Sequence, residues 1–444
     1  MLRQLENGKG FDSKVIVESK EKLKIGIIDA DLLDGGTRHP NLALEKISAF
    51  CKEYGHDVRL ICSYDELNLS EPLFIVEQPY DILCLSRVFK FTKIPIGIRE
   101  MILARYMFYG GTGFLDEFND DITQLPNLPD EVEHHMPDYT LYDEYIENKT
   151  GGEQRLITRN WDDYKNYSIG FATRGCIRHC GFCVNRLLSK VNAWSPVEEF
   201  LDETRSKIYL WDDNIMAAPP VVFKKIMADL MATGKPFQFR QGMDIRLMTE
   251  AKAQLLSKVH YSGDYIFAFD HYRMDIPEEK KQVEQTIRGL RVWRENCLKA
   301  TKLYILVAYD GLDEKDIEGT FYRIKTLMEF GCLPYIMRFE KYTESPFKYM
   351  YTQLARWCNQ PNFFKKMSFR QYCVRNEEYH QGIQYDNPEG IYNTELKIPA
   401  GFKGKSNYCS CYRAMLDFEA AFPEIAKKYF DLRYEDINPY KISK

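Results

Sequence analysis

Short unbroken apolar runs alternate with helix-spaced apolar positions along most of this chain. "LKIGIIDADLL", from Leu23, predicts a strand buried on both faces, since the run is short and bounded by polar residues. "NLALEKISAFCKEYG" (41–55) repeats its apolar positions at helical spacing and ends on a glycine, a helix stop. "HDVRLI" and "YDILCLS" predict two more strands, and "EMILARYMFYGGTGF" runs apolar into a glycine-rich turn. Such alternation predicts a small open α/β sheet over 21–120, preceded by a loosely held polar tail at 1–20.

Asp, Glu, Pro and Asn crowd the next stretch, so 121–165 is expected to be a linker of short turns, its acidic run solvated. His134 and His135 find no partner there at ligand spacing. From 166 to 345 six rounds of strand and helix follow. Their strands are placed at 167–173, 207–213, 236–244, 265–270, 303–310 and 333–340. Right-handed β-α repeats of this length build a parallel barrel or a doubly wound sheet, and six rounds suit a partial (β/α)6 barrel with its active residues at the carboxyl ends of the strands. Residues 346–444 break the rhythm and are expected to form a mostly helical or irregular extension, with an amphipathic helix around "AMLDFEAAFPEIAKKYF".

Composition changes this picture little. Hydrophobic residues at 45% and charged residues at 28% describe an ordinary folded chain, which excludes disorder as the starting assumption. The 30 Tyr and 27 Phe read first as core and surface packing. A net charge of −5 argues for neither a nucleic-acid nor a lipid surface, although "KIPAGFKGKSNYCSCYR" is locally basic and aromatic, so nucleic acid stays open as a partner. No stretch approaches about eighteen continuous apolar residues and the first twenty lack an apolar run, so no membrane partner and a cytoplasmic location are expected. In that compartment disulfides are disfavoured. The 12 cysteines then read as metal-binding or redox groups where clustered, and as small buried hydrophobes where scattered.

The cluster is "RGCIRHCGFC", which places Cys176, Cys180 and Cys183 within eight positions just after the first strand of the six rounds. A structural zinc site asks for four ligands, and His179, inside the loop, would strain the chelate. A [4Fe-4S] cluster on three cysteines leaves one iron open to an exogenous ligand. The C-x3-C-x2-C spacing, its position, and Phe182 before the third cysteine resemble the radical SAM superfamily, over roughly 167 to 342. The resemblance implies that S-adenosylmethionine chelates the open iron. Electron transfer, from a low-potential donor such as flavodoxin or ferredoxin, then releases methionine and a 5′-deoxyadenosyl radical that takes hydrogen from a substrate the sequence does not name. It also implies that Phe182 lies against the adenine. "LWDDN" stands where the family often holds the methionine ammonium, which assigns that role to Asp212, Asp213 or Asn214 in place of the usual acidic segment; a helix cap is the alternative use. "RQGMDIR" resembles a segment of a cobalamin-related subgroup and makes Gln241 and Asp244, with Arg246 beside them, site candidates. Asp270 ends the fourth strand as a ribose or substrate contact, with Tyr309, Asp310 and Arg338 ranked below it.

Residues 23–114 resemble the Rossmann-like, cobalamin-binding-like domain that precedes many radical SAM barrels. The histidine motif of the best-known cobalamin domains is absent here, His39 being followed by Pro-Asn-Leu and His56 by Asp-Val. Cobalamin is thus one cofactor the resemblance allows, with Gly110, Gly111 and Gly113 offering close backbone approach to it or else closing a tight turn. Cys51, Cys62 and Cys84 compare with the extra cluster of methylthiotransferases, yet Cys51 falls within a helix and Cys84 within a strand, as packing residues do. Cys358, Cys373, Cys409 and Cys411 of the extension either pack or hold an auxiliary cluster, and their spacing favours packing. Three functions follow: a radical SAM enzyme, its cobalamin-dependent methylating variant, or an iron-sulfur sensor that cleaves nothing. The ring of polar strand ends argues against the last.

Overall fold

The computed structural model describes residues 7–67, 69, 79–98, 103–381 and 408–440, and the chain divides into two compact units, Met1–Phe237 and Gln238–Lys444. The first opens on a five-stranded parallel sheet made of β1 (Asn7–Lys9), β2 (Lys24–Asp29), β3 (Asp57–Leu60), β4 (Ile82–Ser86) and β5 (Tyr106–Gly110), in the order β1-β5-β4-β2-β3. β2 is buried on both faces, which is why it reads as a continuous apolar run. Ile25 and Ile27 join Leu44 and Phe50 of the helix Leu42–Glu53 on one side, and Ile28 joins Leu83 and Leu85 on the other. Cys51 and Cys84 are packed in this core and burial pushes both thiols up, Cys51 to about 12.

β2 is followed by β3 on one side and β4 on the other, so the sheet's switch point lies between β2 and β4. The chain's own groups fill that edge. Asp31 accepts hydrogen bonds from Val88 N (2.6 Å), Phe89 N (3.2 Å) and the Thr92 hydroxyl, which draws the segment after β4 inward. Gly111 has φ +107°, and a Cβ there would lie 2.3 Å from the Arg87 carbonyl oxygen; one on Gly113 would lie 2.8 Å from it. Gly113 N donates to the same oxygen at 2.9 Å. The close approach that these glycines permit is therefore to Arg87, in a turn closing the sheet.

Two stretches differ from expectation. The supposed polar tail contributes β1, paired with β5 through Asn7 and Met107, and a helix, Ser13–Val17, that buries Ile16 beside Phe11. Elements of three and five residues carry too few positions to show a period. The supposed linker holds the helices Asp130–Glu133, Asp143–Thr150, Gln154–Asn160 and Asp162–Asn166, and buries Val132, Leu141, Tyr142, Ile146 and Tyr164 against the sheet's core. Few apolar residues stand among its acids, but they are large, and aromatic rings bury more area per residue than the composition suggests. His134 and His135 pair with Glu199 and Glu53.

The same stretch braces the next sheet. β6 (Tyr167–Gly170) carries a short antiparallel ribbon after it, β7 (Thr173–Arg174) with β8 (Asn192–Ala193), and pairs parallel with β9 (Lys207–Leu210). The Tyr139 hydroxyl accepts from Ile169 N and donates to Phe200 O, both at 2.7 Å. The buried Arg205 guanidinium lies 4.1 Å over the Tyr139 ring and donates to the carbonyls of Tyr139, Tyr164 and Tyr167. A buried cation is tolerable when its donors are used in this way.

β10 (Phe237–Phe239) falls across the boundary between the units. In the second unit β11 (Tyr265–Ala268), β12 (Thr301–Val307) and β13 (Leu333–Arg338) form a parallel sheet in chain order, and Met243 bridges Phe267. The helix Glu250–Lys258 precedes β11, Pro277–Asn296 and Glu314–Glu329 connect the three strands, and helices from Lys348 onward make up the described part of the extension. All six expected strands of the repeat are present, in an α/β fold with parallel sheets and no closed barrel among the described residues. Each ends before its predicted polar tip, so "WDDN", "RQGMD" and the pair Phe269 and Asp270 run out into the loops that follow. No helix among the described residues is long and apolar enough to cross a membrane.

Candidate cysteine-loop site

The loop bearing Cys176, Cys180 and Cys183 leaves the end of β6 and returns as β8. Its base is closed by the pairs Thr173–Ala193 and Arg174–Asn192. Gly175 follows at φ +104°, where a Cβ would lie 2.1 Å from the Lys190 carbonyl oxygen. Both a left-handed backbone and a bare α-carbon are thus required immediately before the first cysteine.

Two carboxylates at the end of β9 fasten this loop. Asp212 is buried; its Oδ1 accepts from Thr173 N (2.6 Å) and Thr173 Oγ1 (2.5 Å), and its Oδ2 from Ala172 N (3.2 Å). Asp213 spans the cysteines, accepting from Gly175 N at 2.7 Å on one side and Asn185 Nδ2 at 2.9 Å on the other. Within the loop, Cys183 N donates to Cys180 O at 2.9 Å and His179 Nδ1 lies 2.7 Å from Arg186 O. His179 is thereby turned to the loop's own backbone.

The sulfurs sit among amide donors. Arg178 N points at Cys176 Sγ (3.3 Å), Asn185 N at Cys183 Sγ (3.4 Å), and the buried Asn214 directs Nδ2 to Cys176 Sγ at 3.4 Å. Such bonds tune a cluster bound there. The Asn214 amide is oriented by this contact, since its oxygen would repel the sulfur's lone pairs. Asn214 Oδ1, an acceptor at the cysteine site, is buried and has no hydrogen-bond partner among the described residues. Phe182 is half-buried in the loop between Cys180 and Cys183. Among the described residues no three His, Cys, Asp or Glu side chains converge on one metal ion. A four-iron cube takes its thiolates one per iron and asks for no such convergence.

Burial pushes the Asp212 carboxyl up to about 7, with the Thr173 and Ala172 donors pulling it back. The folded chain therefore takes up a proton relative to the unfolded chain between about 4 and about 7. Stability from this group is full below the lower value and is lost as pH rises through the upper one. Asp212→Asn should flatten that slope, at some cost in stability from turning an amide group toward Ala172 N. The check is the urea midpoint of both proteins between about pH 4 and about pH 8, where the wild-type midpoint should fall more steeply with rising pH.

The remaining sequence candidates lie in the second unit. Gln241 is exposed past β10. Asp244 is buried and holds Arg246 through the backbone N (3.2 Å) and Nε (2.6 Å). Asp270 accepts from Leu306 N at 3.1 Å, and burial raises its carboxyl against the opposing charge of Arg323. Arg338 donates to Thr352 Oγ1, the Tyr309 ring meets Phe339 edge-on, and burial raises the Asp310 carboxyl. Sequence reasoning did not single out Gly175, Thr173 or Asn185. Gly175 was the findable one, a glycine set directly against the first cysteine. Most of the basic aromatic segment, 397–407, lies outside the described residues.

No family model and no curated protein matches this chain. Among solved structures it is similar to a radical S-adenosylmethionine methyltransferase, TsrM, from Kitasatospora setae, described with cobalamin and a [4Fe-4S] cluster bound. The two are 11% identical, 72% of each chain is covered, and the TM-score is 0.44.

Proposed function

We propose that this chain is a radical SAM enzyme in which Cys176, Cys180 and Cys183 hold a [4Fe-4S] cluster and S-adenosylmethionine binds beside it. The observation that carries the proposal is the fastened loop: three cysteines, two of whose sulfurs accept amide hydrogen bonds, beside one orphaned amide oxygen. When bound, the cluster supplies the electron that cleaves the sulfonium reductively. The protein's part is to present the ligands and the substrate in a fixed geometry. Asp212 and Asp213 are spent on the loop backbone, which leaves Asn214 Oδ1 to receive the methionine ammonium, with Phe182 against the adenine. A low-potential donor such as flavodoxin or ferredoxin is the expected partner, and the reaction is hydrogen abstraction from a substrate.

Anaerobic reconstitution with iron and sulfide, followed by reduction and addition of S-adenosylmethionine, tests this reading. Release of 5′-deoxyadenosine supports it, and a cluster that forms without any cleavage favours a sensor instead. Cobalamin-dependent methylation is the second reading, favoured by the parallel five-stranded sheet ahead of the cysteine loop, and a corrinoid spectrum in the purified protein would promote it.

Asn214→Ala should weaken S-adenosylmethionine binding to the reconstituted protein by about tenfold or more, the loss of a charge-assisted hydrogen bond. Equilibrium dialysis reads this, and equal affinity of Asn214→Ala and wild type would remove Asn214 from this role.

A further inference from the structure

Cys373 and Cys411 lie far in sequence from the cysteine loop, on the helices Phe369–His380 and Ser410–Ala421 of the second unit. Both are buried and outside any disulfide, and the Cys411 thiol donates to the Cys373 sulfur at 3.3 Å. Two thiols so close need only a small side-chain rotation to reach bonding distance. Cys409 caps the second helix, with its sulfur accepting from Tyr412 N at 3.4 Å and its backbone N donating to Glu377 Oε2 at 2.6 Å. It is thus engaged at the helix start, two residues before Cys411.

A cavity of about 280 Å³ opens onto this corner, lined by Cys409, Cys411, Arg356, Asn376 and His380 among others. Cys411 therefore lines a space that a small molecule can enter, while Cys373 is fully buried beside it. Arg356 places a fixed positive charge on the wall, suited to the carboxylates of a peptide-like thiol.

We propose that Cys373 and Cys411 are a redox-active dithiol that closes to a disulfide by exchange with a small disulfide of the glutathione class admitted by this cavity. The Cys411 thiol gives its proton to solvent and attacks one sulfur of the small disulfide, whose other half leaves as a thiolate. The Cys373 thiol, deprotonated in turn, attacks the Cys411 sulfur, and the second small thiolate leaves. Two protons pass from the cysteines to the two released thiolates, the cysteines lose two electrons, and the small disulfide gains them. Burial pushes the Cys373 thiol well above its ordinary value, so the closing step is slow at neutral pH and quickens as pH rises.

The test is a peptide map of the full-length reconstituted protein, held anaerobically with oxidised glutathione, alkylated, and digested with trypsin without reduction. Wild type should yield Gln371–Arg375 linked to Ser406–Arg413, and dithiothreitol should release the pair. The link should persist in Cys409→Ser and vanish in Cys411→Ser. Cys373→Ser should instead carry glutathione on Ser406–Arg413. Recovery of both wild-type peptides fully alkylated would overturn the proposal, as would a link surviving in Cys411→Ser. The readout is a peptide mass, so it stands or falls apart from any radical chemistry.

Discussion

Replacing Cys183 by alanine is expected to leave anaerobically reconstituted protein without a full cluster, and to bring 5′-deoxyadenosine release down to the no-protein background. The cluster's broad absorbance at about 400 nm and its iron content read the first effect, and chromatography of the nucleoside reads the second. Cys183 is the most telling of the three because its two backbone hydrogen bonds do not involve the thiol: its amide closes the turn onto Cys180 O, and its carbonyl accepts from Arg186 N. Alanine therefore keeps the turn and removes the ligand. Cys62→Ala is the matched control, a half-buried cysteine of the first sheet that should retain cluster and cleavage. A Cys183→Ala protein holding a full complement of iron and cleaving S-adenosylmethionine would sink the assignment of the loop.

The second large effect belongs to a residue with no chemistry of its own. Gly175→Ala should cost about 4 kcal/mol or more and abolish cluster incorporation, because two penalties fall on one atom. A left-handed backbone costs an L-residue roughly 1–3 kcal/mol. The new Cβ, 2.1 Å from the Lys190 carbonyl oxygen, also forces apart the ribbon that closes the loop. Two other glycines separate these terms. Gly151, at φ +58° with nothing within 4 Å of a Cβ, should pay the conformational penalty alone, about 1 kcal/mol. Gly35 has neither a positive φ nor a neighbour within 4 Å, and its substitution should stay within about 0.5 kcal/mol. Urea midpoints of the three variants should fall in the order Gly35, Gly151, Gly175, and only Gly175→Ala should lose iron. A Gly175→Ala midpoint equal to that of Gly151→Ala would show that the loop tolerates the clash.

The strands and long helices were legible because each buries a continuous face, and burial writes a period into the sequence. Ile25, Ile27 and Ile28 announce β2 for that reason. The three cysteines were legible because the ligand type is rare and the spacing short. The uses of their neighbours were not. "WDDN" offers three polar side chains in a row, and nothing in their order says that Asp212 turns to Thr173, Asp213 to Gly175 and Asn185, and Asn214 to a sulfur. Those choices depend on which way a loop returns after β6, a non-local fact. The same holds for Gly111 and Gly113, whose sequence says only that something comes close; the fold shows that it is Arg87 O. Acidic composition hid the packing of 121–165, since a residue average cannot weigh one buried tyrosine against four solvated carboxylates.

The hydroxyl of Tyr139 has a consequence beyond bracing. The flank of β6 opposite β9 would otherwise present the Ile169 amide to solvent, and an open strand edge is a template onto which another molecule can add a strand. By occupying that amide at 2.7 Å, a side chain from an acidic, outwardly loop-like stretch does the work of a covering strand. The segment from 121 to 165 thus covers, in the folded protein, an edge through which copies of the chain could otherwise join.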